Sequence, residues 1–195
     1  MKKNRGLSGL ISLLFMPQVS SIYAFALLFM YRSIDPLYLL VAVLFSSLVP
    51  LSSLAYYVAV MGGNPDVSGR EERKWLFAVA ILSYLIGVLA LMYLSAPFIF
   101  VALMLSYMLN TIVAALVTKY FTKVSIHVWG ISGPSVAIFY DYGISGLAGM
   151  LLLAAIVGIS RVRLRRHTVN QVLLSFVLSV PVTFLVVYVI APLMA

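Results

Sequence analysis

Long uncharged apolar runs follow one another along almost the whole chain, and no other feature limits its fold as much. In hydrocarbon an unpaired backbone N–H or C=O is not tolerated, so each run must be helical. A spanning helix needs roughly 20 mostly apolar residues. The runs read as about Ser8 to Tyr31, Pro36 to Met61, Trp75 to Ser95, Pro97 to Thr118 and His167 to about Leu193, with a longer stretch from Val128 to Ile159. That stretch is too long for one span, and Tyr140-Asp141-Tyr142-Gly143 is a good turn at its middle. It is expected to be a hairpin of two short helices, in which Gly143, Gly146 and Gly149 allow a close approach. Pro17 is expected to kink the first run. With 64% of residues apolar and 9% charged, residues 1–195 are expected to be a single integral membrane domain. The fold class is an all-α polytopic membrane helix bundle of six to seven transmembrane helices.

The breaks carry the charge. The first polar segment is Gly62 to Lys74, the second runs from Lys119 through Lys123 to His127, and the third is Arg161 to Arg166. With seven spans, these loops and the N-terminus share one side, which holds every Lys and Arg except Arg32. The positive-inside rule makes that side cytoplasmic. Removing the candidate ligands Arg70, Arg73, Lys123 and Arg161 from the tally does not change its direction. Lys2, Lys3 and Arg5 before an apolar stretch and Ala24-Phe25-Ala26 imitate a secretory signal, but the run continues to Tyr31. A retained signal-anchor helix is expected.

The absence of cysteine excludes disulfides, thiolate metal sites and a cysteine nucleophile, and leaves the redox compartment open. With two histidines and five acids, no metal or other cofactor is expected, and no nucleic-acid partner. Oligomeric state stays open, a homo-oligomer included.

Both histidines, His127 and His167, fall at helix starts on the basic face. Arg70 and Arg73 come from the first polar loop, and Arg161 precedes His167. Helix N-termini suit anions, and guanidinium forks bind phosphate in bidentate fashion. The arrangement reads as a phosphate site with a nucleophile and an acid.

Ser160-Arg161, five residues, His167, three residues and Gln171 resemble the third motif of the type 2 phosphatidic acid phosphatases, which ends in Asp where this chain has Gln171. Val124-Ser125-Ile126-His127 is similar to the second motif, Pro-Ser-Gly-His. The first motif is absent, with Arg70 and Arg73 nearest to it by location. A divergent branch with a compact basic first motif, Ser-x-His and His-Thr-x-x-Gln resembles the chain more closely, over about residues 66–176. The resemblance implies a phosphatase acting on a lipid or polyprenyl phosphate. It implies His167 as nucleophile, His127 as the acid for the leaving alkoxide, and Arg161, Arg70, Arg73 and Lys123 as phosphate ligands. Ser125 and the amide of Ile126 would donate further hydrogen bonds.

Gln171, four residues after His167 on one helical face, can orient the ring but supplies no charge. In the hydrolase triad a neutral replacement costs about 10⁴-fold in rate. A non-catalytic phosphate- or anionic-lipid-binding protein and a small transporter therefore stand as alternatives. The transporter lacks mid-membrane charges and a repeat, and an intramembrane protease lacks the expected spacings. Taken singly, the arginine loop reads as a topogenic cluster and Arg70-Glu71-Glu72-Arg73 as a self-paired helix start.

Overall fold

The structure is a computed structural model that describes residues 6–64, 67 and 69–193, the side chains of residues 70 and 71 excepted. Proline has no N–H to give to a preceding turn, and the first run breaks where Pro17 requires it. Helix α1 (Gly6–Leu14) and helix α2 (Pro17–Arg32) meet at 58°. Ala24 and Phe25 lie fully buried inside α2.

The second run is a 24-residue span, Pro36–Ala59, made of α3 (Pro36–Val43), one wide π turn (Leu44–Leu48) and α4 (Val49–Ala59). Asp35 caps it by accepting from the Leu37 amide at 2.8 Å. Pro50 cannot donate back into the preceding turn, so carbonyls near Leu44–Leu48 need other partners. Neighbouring helices supply them: Ser83 Oγ donates to the Phe45 carbonyl at 2.6 Å and Ser21 Oγ to that of Ser46 at 3.2 Å. Hydroxyls thus replace a missing amide where no water can reach.

Four further helices follow: α5 (Arg70–Tyr93), α6 (Phe98–Tyr120), the short α7 (Ile126–Ser132) and α8 (Ser135–Arg163). The last, α9 (Val169–Leu185), continues through a π turn to Leu193. Five helices are long and apolar enough to cross a membrane, or six when α1 and α2 count as one bent span. The expected seventh depends on dividing α8 at Gly143, whose φ of 62° and ψ of −154° interrupt the helix. A Cβ built on Gly146 would stand 2.9 Å from Ile138 Cγ2, a contact that residues eight apart in one straight helix cannot make. The chain therefore folds back here, as the Tyr140–Gly143 turn implies. The close approach belongs to Gly146 alone of the three glycines, since Gly143 and Gly149 meet nothing within 4 Å. Gly158, against Val172 of α9, is a second tight contact.

Helix α6 is the axis of the bundle, with 61% of its most apolar window buried against 28–33% for the other single-helix spans. Its own Phe100, Leu103 and Met104 share one buried cluster with Phe25 and Leu28 of α2 and Leu91 of α5. Leu82, Leu89, Leu152 and Val177 face outward, as they can where the solvent is lipid.

The end of the bundle opposite the basic loops is closed by an ion pair. Arg32 Nε and Nη2 donate to Asp141 Oδ2 and Oδ1 at 2.8 and 2.6 Å, and Tyr142 Oη donates to the Leu27 carbonyl at 2.8 Å. The Asp141 side chain is only 2% exposed. Removing one partner of such a pair costs more than replacing both, because an uncompensated charge stays buried. Arg32→Ala should lower unfolding stability in detergent by about 3–5 kcal/mol, and Arg32→Met with Asp141→Leu should recover most of it. Equal losses in the two variants would mean that the pair does not hold α2 to the hairpin.

Candidate functional site

The segment from Ser160 to Gln171 is a helix end and a return. Helix α8 closes with Arg166 N donating to the Arg161 carbonyl at 3.0 Å and Arg165 N to that of Val162 at 2.8 Å, while Arg165 takes a left-handed φ of 54°. This six-to-one closure reverses the chain within one turn and sets His167 back beside Arg161. It also divides the basic loop. Arg161 is 2% exposed and points inward, where Nη1 donates to Ser12 Oγ at 2.6 Å, while Arg163, Arg165 and Arg166 are exposed.

Thr168 and Gln171 start α9 as a capping box. Thr168 Oγ1 accepts from the Gln171 amide at 3.3 Å, and Gln171 Oε1 accepts from the Thr168 amide at 3.2 Å. The side-chain amide of Gln171 also donates through Nε2 to Thr122 Oγ1 at 3.2 Å. These two bonds settle which end of the Gln171 amide is oxygen. His167 Nδ1 lies 3.1 Å from that oxygen, and since a carbonyl oxygen can only accept, Nδ1 carries the proton. Nε2 is left with its lone pair, buried and without a hydrogen-bond partner.

His127 lies in the first turn of α7, behind Ser125. The Ser125 amide donates to Ser175 Oγ at 2.9 Å, and Ser175 Oγ donates to the Gln171 carbonyl at 2.7 Å, which links the two motifs. Trp129 Nε1 donates to Asn110 Oδ1 at 2.6 Å, and Asn110 Nδ2 to Thr183 Oγ1 at 2.8 Å, fastening α7 between α6 and α9. Gly130 lets α7 press on Pro17, whose Cα is 3.2 Å from where a Cβ would stand. Helix α7 runs for only seven residues, and the Ser125 amide at its start is already engaged. Ser125 Oγ and His127 Nδ1 are buried without hydrogen-bond partners.

Arg73, in the first turn of α5, is 3% exposed and donates from Nε to the Val67 carbonyl at 2.9 Å and from Nη1 to that of Val124 at 3.4 Å. The Gly69 amide is capped by Glu72 at 3.1 Å, so this acid serves the helix start. Lys123 is half-buried and acts on His167 through its charge. The side chain of Arg70 lies outside the described residues.

Arg73, Ile126, His127 and Arg161 line one end of a cavity of about 110 Å³ that continues between the helices to Tyr84, Tyr107, Asn110 and Thr183. At 1.5 Å per residue, Asn110 is about 15 Å below the end of α6. His167 is not on the cavity wall. It stands beside it, close enough to Arg161 and His127 for their charges to act on each other. Burial, reinforced by the Arg161 charge, pulls His167 down to about 3, and the same two causes hold His127 well below the ordinary imidazole value. Both rings are neutral at pH 7. Among the described residues no three His, Asp or Glu side chains gather closely enough to hold a metal ion.

Ser12, Thr122 and Ser175 were not anticipated. Ser175 had a signal, since it follows Gln171 by one turn, whereas Thr122 lies far from Gln171 in sequence and had none. Ser12 comes from another helix and had none.

A neutral buried histidine must take up a proton on unfolding once the pH lies below about 6.5, so the unfolded state then binds more protons and stability falls with pH. Thermal stability in detergent should be level above pH 6.5 and decline from there toward about 3, the value for His167, by about 1.4 kcal/mol per pH unit for each histidine. His167→Asn should roughly halve the decline, leaving the share of His127; a flat profile in the parent would mean that the rings are not held neutral.

No family model matches the chain, and no curated protein or solved structure shows significant similarity to it.

Proposed function

We propose that the chain is a membrane phosphatase that hydrolyses a lipid or polyprenyl phosphate through a phosphohistidine intermediate. The observation that carries this reading is His167: its Nδ1–H is held by Gln171, its Nε2 lone pair is buried and unused, and two buried arginines and a second neutral histidine surround it. A buried acceptor without a partner costs about 1–3 kcal/mol, which a catalytic role would repay. The apolar continuation of the cavity supports a substrate whose chain stays within the membrane.

In this mechanism His167 Nε2 attacks phosphorus while the bond to the alkoxide oxygen breaks. Arg73 and Arg161 stabilise the charge that spreads over the phosphoryl oxygens. The negative substrate offsets the two guanidinium charges and so raises His127, which gives its proton to the leaving alkoxide as the alcohol departs. Water then attacks the phosphoimidazole, His127 takes a proton from it, and inorganic phosphate leaves. Gln171 holds the ring without neutralising its developing positive charge, which makes slow turnover the expected behaviour.

The one-sided basic loops support a site facing the cytoplasm. Reporter fusions after Ala195 and in the Gly62–Lys74 loop test this, with the loop expected inside and the C-terminus outside.

In liposomes containing a polyprenyl phosphate or phosphatidic acid, the protein should release inorganic phosphate and form an acid-labile, base-stable phosphoenzyme, and His167→Ala should abolish both. Gln171→Glu keeps the reach of the capping box, adds a charge beside Nδ1, and should raise turnover about tenfold as part of the triad's charge effect is restored. Gln171→Leu should lower turnover and also destabilise the start of α9 by about 1 kcal/mol. Phosphate release that survives His167→Ala ends this mechanism. Phosphate binding without release in any variant favours a non-catalytic binding protein.

A further inference from the structure

Where α5 and α6 run side by side toward the basic loops, they leave a second opening, a groove of about 350 Å³ apart from the histidine cluster. Lys74 and Lys119 stand at its mouth, and Phe77, Ile81 and Leu116 line it further down the two helices. Ala78 and Ala115, with nothing beyond Cβ, leave the space open between them. At 10–15 Å³ for each water-sized group, the volume has room for on the order of 25 such groups. Both lysines are exposed, and the Lys119 ammonium rests 4.7 Å from the centre of the Tyr120 ring. The groove is thus cationic at the level of the helix ends and apolar beneath, the order in which a phospholipid carries its phosphate and its chains.

Thr118 supplies the second observation. On the same helix, Ser106 Oγ and Thr111 Oγ1 each donate to the carbonyl four residues back at 2.7 Å, the usual resort of a hydroxyl in a buried helix. Thr118 lines the groove, is 2% exposed, and its Oγ1 has no hydrogen-bond partner.

We propose that this groove is a binding site for one anionic phospholipid of the surrounding bilayer. Its phosphate lies between Lys74 and Lys119, a headgroup oxygen accepts from Thr118 Oγ1, and one chain lies against Phe77, Ile81 and Leu116. A soluble phosphate would leave the apolar half empty, and a zwitterionic lipid would bring a cation to the lysines. Phe77 also lines the inner cavity, so the bound lipid sits one side chain from it. The proposal does not depend on any catalysis at His167.

Native mass spectrometry of the purified protein, after exchange against phosphatidylglycerol or phosphatidylcholine micelles, tests it. The parent should retain one phosphatidylglycerol in preference to phosphatidylcholine. Lys74→Gln and Lys119→Gln should each lower that retention about fivefold, the size of one lysine contact with an anionic lipid, and the double Lys→Arg variant should keep it. Thr118→Val, close in shape and without the hydroxyl, should weaken retention with no loss of helix content, which serves if the charge variants misfold. Equal retention of the two lipids, or full retention by a folded double Lys→Gln variant, overturns the site. So does loss of the lipid on His127→Ala but not on lysine replacement, which would place it in the inner cavity.

Discussion

A chain folded in hydrocarbon must pair every backbone group within itself, and departures from straight helix in this protein are met by that requirement. Pro50 leaves the turn before it short of a donor, and Ser21 and Ser83 answer from two other helices. Those bonds then fix how α2 and α5 lie against the second span. The buried hydroxyls that look like scattered polarity in the sequence are in part the joints of the bundle.

The same economy shapes the candidate site. Gln171 Oε1 accepts from the Thr168 amide and from His167 Nδ1 at once, so the group that starts α9 also sets the tautomer of the imidazole. Ser175 ties the carbonyl of Gln171 to the amide of Ser125. The site is therefore braced by helix starts and ends more than by loops, which favours precise placement. The electrostatic consequence is that burial and the neighbouring guanidinium charges hold both imidazoles neutral. In the proposed mechanism a bound anion would couple to their protonation by Coulomb attraction in a medium of low dielectric.

The two openings of α5 and α6 differ in what they can hold. The inner one places arginines and a histidine at one end of an enclosed space between helices, and the outer one places lysines above a strip of aliphatic side chains. Arginine forks suit a fixed phosphoryl geometry, whereas lysines on flexible stems suit a headgroup that exchanges.

Much of the fold was legible because hydrocarbon admits so few solutions: the helical runs, the kink at Pro17 and the fold-back near Gly143 follow from residue type and spacing alone. Pairwise placement was not. The sequence shows four arginines between positions 161 and 166, and only the closing turn of α8 decides that Arg161 points inward while the others face out. It shows three glycines after Tyr142, and only packing decides that Gly146 meets a neighbour. Nor could it show that, of the Ser and Thr hydroxyls of α6, Thr118 is the one without a hydrogen-bond partner. By itself the sequence determined the helices and their breaks, because each depends on local backbone pairing and on transfer from water. Which imidazole nitrogen keeps its lone pair, and which charges are buried, depends on side chains brought together from different helices, and only the tertiary structure decided that.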